Sequence, residues 1–176
     1  MRKVFVTRCA FVLLTLNILA ASGEDKTVSN KELGFEITFP ETWTILSKTL
    51  TDDVAAQAYS PLAKEARLRA IAMVKIADFD KPASLKAFAQ SEFADSEKEM
   101  KNFELIEMAE TTIGALKMMK VIFLCDRGDA RFKCVDYLVV TAKRGYRITS
   151  ATTNADYEKY TKGFDTIVKS FKLVEK

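Results

Sequence analysis

Residues 33–45, LGFEITFPETWTI, contain the pattern that decides the fold of this chain. Three apolar residues in this stretch alternate with polar ones: Phe35, Ile37 and Phe39. Alternation with a period of two is typical of a strand with one buried face. Pro40 ends the run, because proline lacks the N–H that a continuing strand would donate. We therefore expect one strand up to Pro40 and a second that starts at Trp43.

Strand and helix patterns follow one another through the rest of the chain. Strand patterns cover residues 54–59, 68–76, 103–113, 116–125, 132–142 and 146–151. Helical spacing runs from Ser84 to Met100 and returns after Thr153, which begins a capping-box sequence, with Phe164 and Ile167 on one helical face. The strands on either side of residues 127–129 form a hairpin that is apolar on both faces, so each face needs cover. We expect an α+β fold in which an antiparallel sheet is sandwiched between helices.

Residues 1–23 have the pattern of a secretory signal peptide. Three basic residues, Arg2, Lys3 and Arg8, precede an apolar run over residues 11–21. That run is shorter than the roughly 20 residues needed to span a bilayer. We expect cleavage near Ser22 or Gly23, export to the periplasm or the medium, and no integral membrane span afterwards. Residues 24–176 are expected to form a single domain.

The net charge of the chain belongs to this leader. The chain has 27 Lys and Arg against 24 Asp and Glu, and removing the three bases of the leader leaves 24 of each. Nucleic-acid-binding surfaces are typically strongly basic. A neutral mature chain of about 150 residues is large enough for one well-packed domain, but it offers no such surface. We therefore expect no nucleic-acid partner.

The residue types exclude several kinds of catalysis. The chain has no histidine, which rules out Ser-His-Asp and Cys-His catalysis and zinc sites that use imidazole. The pairs Asp52–Asp53 and Asp78–Asp80 lack the glycine and terminal glutamate of a calcium loop, so we interpret them as turn acids. Arg127-Gly128-Asp129 is interpreted as a hairpin turn, because glycine and aspartate suit turn conformations. We expect no cofactor, no metal site and no enzymatic activity.

Four stretches resemble the PsbP-like superfamily, and they occur in the family's order. They are GFEITFPETW at residues 34–43, TTIGALKMMKV at 111–121, GYRITSATTNADYEKY at 145–160 and FDTIVKSFKL at 164–173. This superfamily includes extrinsic proteins of the photosynthetic oxygen-evolving complex, a small Ran-GTPase-binding protein and exported bacterial proteins. The resemblance implies an α/β/α sandwich and a non-enzymatic accessory or binding role. The photosynthetic members are associated with metal sites, but the absence of histidine here gives no ligands to carry over.

These observations predict an exported accessory protein that binds another protein or complex in the cell envelope. Trp43 is expected to plug the end of the sheet, because buried aromatic residues dominate core packing. Its alternative role is as the wall of a ligand site. Two other functions remain open: a carrier with an apolar pocket between sheet and helix, and a histidine-free hydrolase that uses carboxylates. An internal cavity would favour the carrier, and paired carboxylates in one cleft would favour the hydrolase.

Cys125 and Cys134 are expected to form a disulfide. They are the cysteines that remain after the leader, which contains Cys9, is removed, and the chain is sent to an oxidising compartment. If the turn centres on residues 129–130, Cys125 lies directly opposite Cys134. If Gly128 and Asp129 form the turn, Cys125 faces Phe132 and the two cysteines are diagonal neighbours, with Cβ atoms up to about 7–8 Å apart. Turn chemistry favours the second register, whereas the cysteine content favours the bond.

Overall fold

A computed structural model describes residues 25–46, 53–94 and 96–174. Its strands are β1 Lys26–Asn30, β2 Phe35–Phe39, β3 Thr44–Ile45, β4 Val54–Tyr59, β5 Ile71–Asp78, β6 Lys101–Ile113, β7 Leu116–Arg127, β8 Ala130–Val140, β9 Arg144–Thr153 and β10 Lys172–Leu173. Its helices are α1 Leu85–Phe93, α2 Ser96–Glu99, a 3-10 helix Asn154–Tyr160 and α3 Thr161–Ser170. The expected signal peptide, residues 1–23, lies outside the described residues, as do Cys9 and Asp52.

These strands form two sheets in which every neighbouring pair is antiparallel. A three-stranded sheet has the order β1-β2-β10, and a seven-stranded sheet has the order β3-β4-β5-β9-β8-β7-β6. The expected α+β fold built on an antiparallel sheet is confirmed. Within the described part of the chain, no helix combines the length and the apolar content needed to cross a bilayer.

The seven-stranded sheet separates two hydrophobic clusters, as expected from a hairpin that is apolar on both faces. On one face α1 brings Phe88 and Phe93 against Phe123 and Leu138 of the hairpin. Close approach of α1 depends on Gly145 in β9, where a Cβ atom would lie 2.5 Å from the ring of Phe88. This face is therefore covered by a helix packed directly on the sheet backbone.

The opposite face is covered by α3 together with the smaller sheet. Phe35, Ile37 and Phe39 of β2 are fully buried in the same cluster as Phe164 and Ile167 of α3. The positions expected for Phe164 and Ile167 are thus confirmed. The small sheet is an addition to the expected sandwich, since it lies beside α3 and completes the cover of this face.

The hairpin between β7 and β8 has the tight-turn register. Arg127 pairs with Ala130, so Gly128 and Asp129 are the two central residues of the turn. Gly128 has a φ of +58°, and glycine at the first central position is typical of the type II′ turns that match strand twist. The turn interpretation of these residues agrees with this geometry.

Several strand ends lie about two residues from the sequence patterns, and three further differences have specific causes. The stretch from Ser84 with helical spacing forms two helices, α1 and α2. The sequence does not show where one ends and the next begins, because apolar residues keep helical spacing across both. Strand β5 starts at Ile71 rather than at residue 68, because the carbonyl of Leu68 accepts a hydrogen bond from Tyr160 in the loop before it. The Thr153 side chain does not cap the following helix; its hydroxyl donates instead to a carboxylate oxygen of Asp156, at 2.9 Å.

Candidate functional site

A surface groove of about 460 Å³ lies where α3, the β2–β3 connection and the β4–β5 loop meet. Its apolar lining comes from Pro40, Trp43, Pro61, Ala63, Tyr160 and Gly163. We call it the Trp43 groove. Its residues come from four separate parts of the chain, which the fold brings together at the β3 end of the larger sheet. The groove opens to solvent and is not an internal cavity.

Trp43 is mainly a core residue that also forms part of this groove. It is 4% exposed and packs edge-on against Phe164, with ring centroids 5.8 Å apart. Gly163 allows α3 to approach the indole, because a Cβ atom there would be only 3.2 Å from the indole ring. No described residue accepts a hydrogen bond from the indole N–H. Trp43 therefore fills the end of the core, and its indole also forms part of the lining of the groove.

The β4–β5 loop is fixed beside the groove by two side chains that follow β9. The Tyr160 hydroxyl donates to the carbonyl of Leu68 and accepts from the backbone N–H of Ala63, each at 3.0 Å. The Asp156 carboxylate accepts from the backbone N–H of Arg67 at 3.0 Å. The pKa of Asp156 is lowered to about 2, chiefly by the hydrogen bond from Lys159 and next by the one from Arg67. The hydrogen bonds from Tyr160 and Asp156 therefore fix the backbone of the loop.

The same loop contains an unusual backbone conformation and exposed apolar residues. Glu65 has a φ of +62°, a left-handed conformation that is uncommon outside glycine. The ammonium of Lys159 donates to its carbonyl at 3.1 Å, which helps to maintain it. Leu62 and Leu68 are 55% and 42% exposed. Two large apolar side chains on one anchored loop are suited to contact with another molecule.

The charged residues of the Trp43 groove are two lysines and one carboxylate. Lys159 is engaged by Asp156, with an N–O distance of 2.8 Å. Asp25 accepts a hydrogen bond from the backbone N–H of Glu41 at 3.1 Å. Within the described ranges, no carboxylate pairs with Lys162. The groove thus presents one uncommitted cation beside an apolar floor, and its single carboxylate does not form the pair that acid–base hydrolysis needs.

The predicted cysteine pair lies far from this groove, in the β7–β8 hairpin. Both thiols are buried and free, and Cys125 faces Phe132 while Cys134 faces Phe123. The register is the diagonal one, in which the bond needs a local shift. The disulfide therefore stays a prediction, and it is taken up below as a proposal.

Two of the turn acids that were considered as calcium ligands form ion pairs with basic side chains. Asp53 lies 2.9 Å from Lys75, and Asp78 lies 2.5 Å from Arg144. No group of three or more Cys, Asp and Glu side chains arranged to hold a metal ion occurs in the described ranges. Sequence reasoning missed Leu62, Leu68 and Lys162. The only available signal was a pair of leucines in a loop that contains a proline and four charged residues.

Comparison with solved structures shows the same fold in proteins of very different origin. The cyanobacterial PsbP protein, CyanoP, of Synechocystis is 14% identical, with a TM-score of 0.60 over 96% of this chain and 98% of its own. LpqN of Mycobacterium tuberculosis, described as involved in cell envelope biogenesis, is 10% identical, with a TM-score of 0.63 over 80% of this chain and 83% of its own. The Ran-binding protein Mog1p of Saccharomyces cerevisiae is 10% identical, with a TM-score of 0.55 over 86% and 96%.

At these identities the structural likenesses show the fold alone. No curated protein sequence matches the chain. The sequence model of the PsbP family, in contrast, matches residues 25–173. This range includes both sheets and every described helix, together with the four stretches that carried the resemblance. The chain therefore belongs to the PsbP family.

Proposed function

We propose that this protein is an exported, non-enzymatic accessory protein that binds a segment of another envelope protein in the Trp43 groove. The observation that carries the proposal is an open, largely apolar groove beside a loop that is anchored but exposes Leu62 and Leu68. Exposed apolar surface on a fixed frame is typical of protein interaction sites. A preorganised site also reduces the ordering cost of association.

Charge and shape indicate what kind of segment fits. The floor of prolines, Trp43 and Tyr160 suits apolar side chains, and the indole N–H is available as a donor. Lys162 adds a cation that no described carboxylate neutralises. The expected occupant is therefore an extended peptide segment with apolar side chains and at least one carboxylate placed to reach Lys162.

The residues of the groove favour this function over the two others. A carrier of an apolar ligand needs a site that encloses most of the ligand, whereas the Trp43 groove opens to solvent. A carboxylate hydrolase needs two acids facing one substrate, whereas Asp25 is the only acid among the lining residues.

The family and its structural neighbours are compatible with a binding role in the envelope. LpqN is described as involved in cell envelope biogenesis, and Mog1p as a Ran-binding protein. The leader pattern of residues 1–23 adds the expectation of export to the periplasm or the medium.

Site-specific photocrosslinking in the native envelope tests the proposal. A photoreactive residue replaces Leu62 in one variant and Ile106 in a matched control. Ile106 is equally exposed, at 53%, but lies in β6, at the opposite edge of the larger sheet. We expect a discrete protein adduct from position 62 that is absent from position 106.

The charge of the groove provides a second comparison in the same experiment. Lys162→Glu should strongly reduce the adduct at position 62, because it reverses the cation that the partner's carboxylate contacts. Identical adducts at both positions, or an adduct insensitive to Lys162→Glu, would contradict binding in the groove. Crosslinking only to a small molecule would support the carrier instead.

A further inference from the structure

The two thiols of the β7–β8 hairpin form a chemically distinct cluster away from the Trp43 groove. Cys125 and Cys134 are 1% and 0% exposed, and they belong to the cluster beneath α1. They are diagonal neighbours on adjacent strands, and each thiol shifts the pKa of the other. No other cysteine lies in the described residues. Two adjacent thiols in an exported chain are a candidate for oxidation.

The surroundings make the two thiols unequal. The guanidinium of Arg127 lies 5.6 Å from the ring centroid of Phe132, which is directly opposite Cys125. The pKa of Cys125 is lowered, first by the hydrogen bond with Cys134 and further by the positive charges of Arg127 and Arg131, against the effect of burial. The pKa of Cys134 is raised, by the hydrogen bond with Cys125, by burial and by the charge of Asp136. Cys125 is therefore the better nucleophile of the two.

The backbone beside Cys125 is irregular where a shift would be required. Strand β6 pairs Lys101 with Asp126 and Glu104 with Leu124, so the ladder has a bulge next to Cys125. Asn102, inside this bulge, has a φ of +50°. A disulfide needs Cβ atoms about 3.5–4.5 Å apart, closer than the diagonal spacing of up to about 7–8 Å. A shift of β7 towards Cys134 would therefore disturb a ladder that is already irregular on its β6 side.

We propose that Cys125 and Cys134 form an intramolecular disulfide across β7 and β8 after export, with Cys125 as the attacking thiolate. The oxidant is a protein or small-molecule disulfide of the receiving compartment. Both thiols are buried in the folded domain, so the exchange takes place while α1 does not yet cover the hairpin. The thiolate of Cys125 then attacks one sulfur of that disulfide, forms a mixed disulfide and releases one thiolate. Cys134 then loses its proton and attacks the Cys125 sulfur, which releases the second thiolate. Two thiols are oxidised, two protons are lost, and the oxidant takes up two electrons as a dithiol.

Thiol counting on the exported protein tests the bond. The protein is isolated with acid quenching, unfolded and alkylated without reductant, and its intact mass is measured. We expect no alkylated thiol, and two after reduction. The same chain expressed without residues 1–23 in a reducing cytoplasm should show two without reductant. Two labelled thiols in the exported protein, or a disulfide-linked dimer, would overturn the proposal.

Trapping of the mixed disulfide tests the order of attack. Each single variant, Cys134→Ser and Cys125→Ser, is refolded at pH 7 with oxidised glutathione as the probe. With the resolving thiol absent, Cys134→Ser should accumulate several times more glutathione adduct than Cys125→Ser. Arg127→Gln added to Cys134→Ser should reduce that adduct. Equal adducts in the two single variants would refute Cys125 as the attacking thiol.

Discussion

Truncation of Phe164 is the sharpest test of how α3 is held on the sheet. Its side chain is 4% exposed, and its ring contacts three aromatic neighbours, Trp43, Tyr157 and Tyr160, at centroid distances of 5.8, 5.0 and 6.3 Å. Removal of a buried Phe side chain costs about 3–5 kcal/mol in total, a range that already includes the loss of its aromatic contacts. We expect Phe164→Ala to lower the free energy of unfolding by about 4 kcal/mol.

Urea unfolding provides the measurement, followed both by Trp43 fluorescence and by circular dichroism. Trp43 is the only tryptophan and touches the mutated side chain, whereas circular dichroism reports on the whole domain. The midpoint of thermal unfolding should fall by roughly 8–16 °C, since 1 kcal/mol corresponds to about 2–4 °C at this size. Lys169→Ala, on the exposed face of α3, is the matched control. A loss below about 1 kcal/mol for Phe164→Ala, the range of surface substitutions, would refute the packing described here.

Three further substitutions test single contacts. Asp156→Asn should cost about 2 kcal/mol, because the charged hydrogen bonds that the carboxylate accepts from Arg67, Thr153 and Lys159 are weakened. Since the folded pKa of Asp156 is lowered to about 2, this difference from wild type should be constant above about pH 4 and shrink as the pH falls towards 2. A difference that persists unchanged at pH 2 would contradict this role. Gly145→Ala should lower the free energy of unfolding by about 1–3 kcal/mol, because the new methyl group overpacks against Phe88. Phe88→Leu in the same chain should relieve part of that cost. If the stability losses of the two single variants simply add in the double variant, the contact is contradicted. Gly114→Ala, where φ is +59° and no atom lies within 4 Å of the new Cβ, should cost about 1 kcal/mol from backbone strain alone, measured by the same urea titration.

Strand β2, the strands of the larger sheet and the packed face of α3 were predictable because their patterns are local. The alternation in β2 and the spacing of Phe164 and Ile167 already predict which of these side chains the structure buries. Ser84 likewise caps α1, with its hydroxyl accepting from the backbone N–H of Ala87 at 3.1 Å. In each case the sequence signal lies within a few consecutive residues.

Strand β1 was not predicted, because its pattern depends on a distant partner. Of its five residues, only Val28 is buried. Lys26 to Asn30 become a strand by pairing with β2, which supplies the hydrogen bonds that a polar sequence does not specify by itself. The capping box predicted after Thr153 also meets a distant partner, since the carboxylate of Asp156 accepts a hydrogen bond from the backbone N–H of Arg67 in the β4–β5 loop.

The Trp43 groove was beyond sequence reasoning for a related reason. Trp43 was singled out, but Pro61, Tyr160 and Lys162 have no local pattern that links them to it. They meet because Gly163 lets α3 approach the indole and because Tyr160 fixes the β4–β5 loop. A site assembled from four parts of the chain becomes visible only when the packing of those parts is known.

The central claim is tested most directly by an affinity measurement. The partner is the protein that crosslinks to position 62, and its affinity is measured for purified variants of this chain. Isothermal titration compares wild type with Lys162→Glu and with Lys117→Glu, which changes an exposed lysine of β7, away from the groove. If a protein segment with a carboxylate occupies the Trp43 groove, Lys162→Glu should weaken binding by about tenfold and Lys117→Glu by less than about twofold. Equal affinity of all three proteins for the captured partner would contradict the claim.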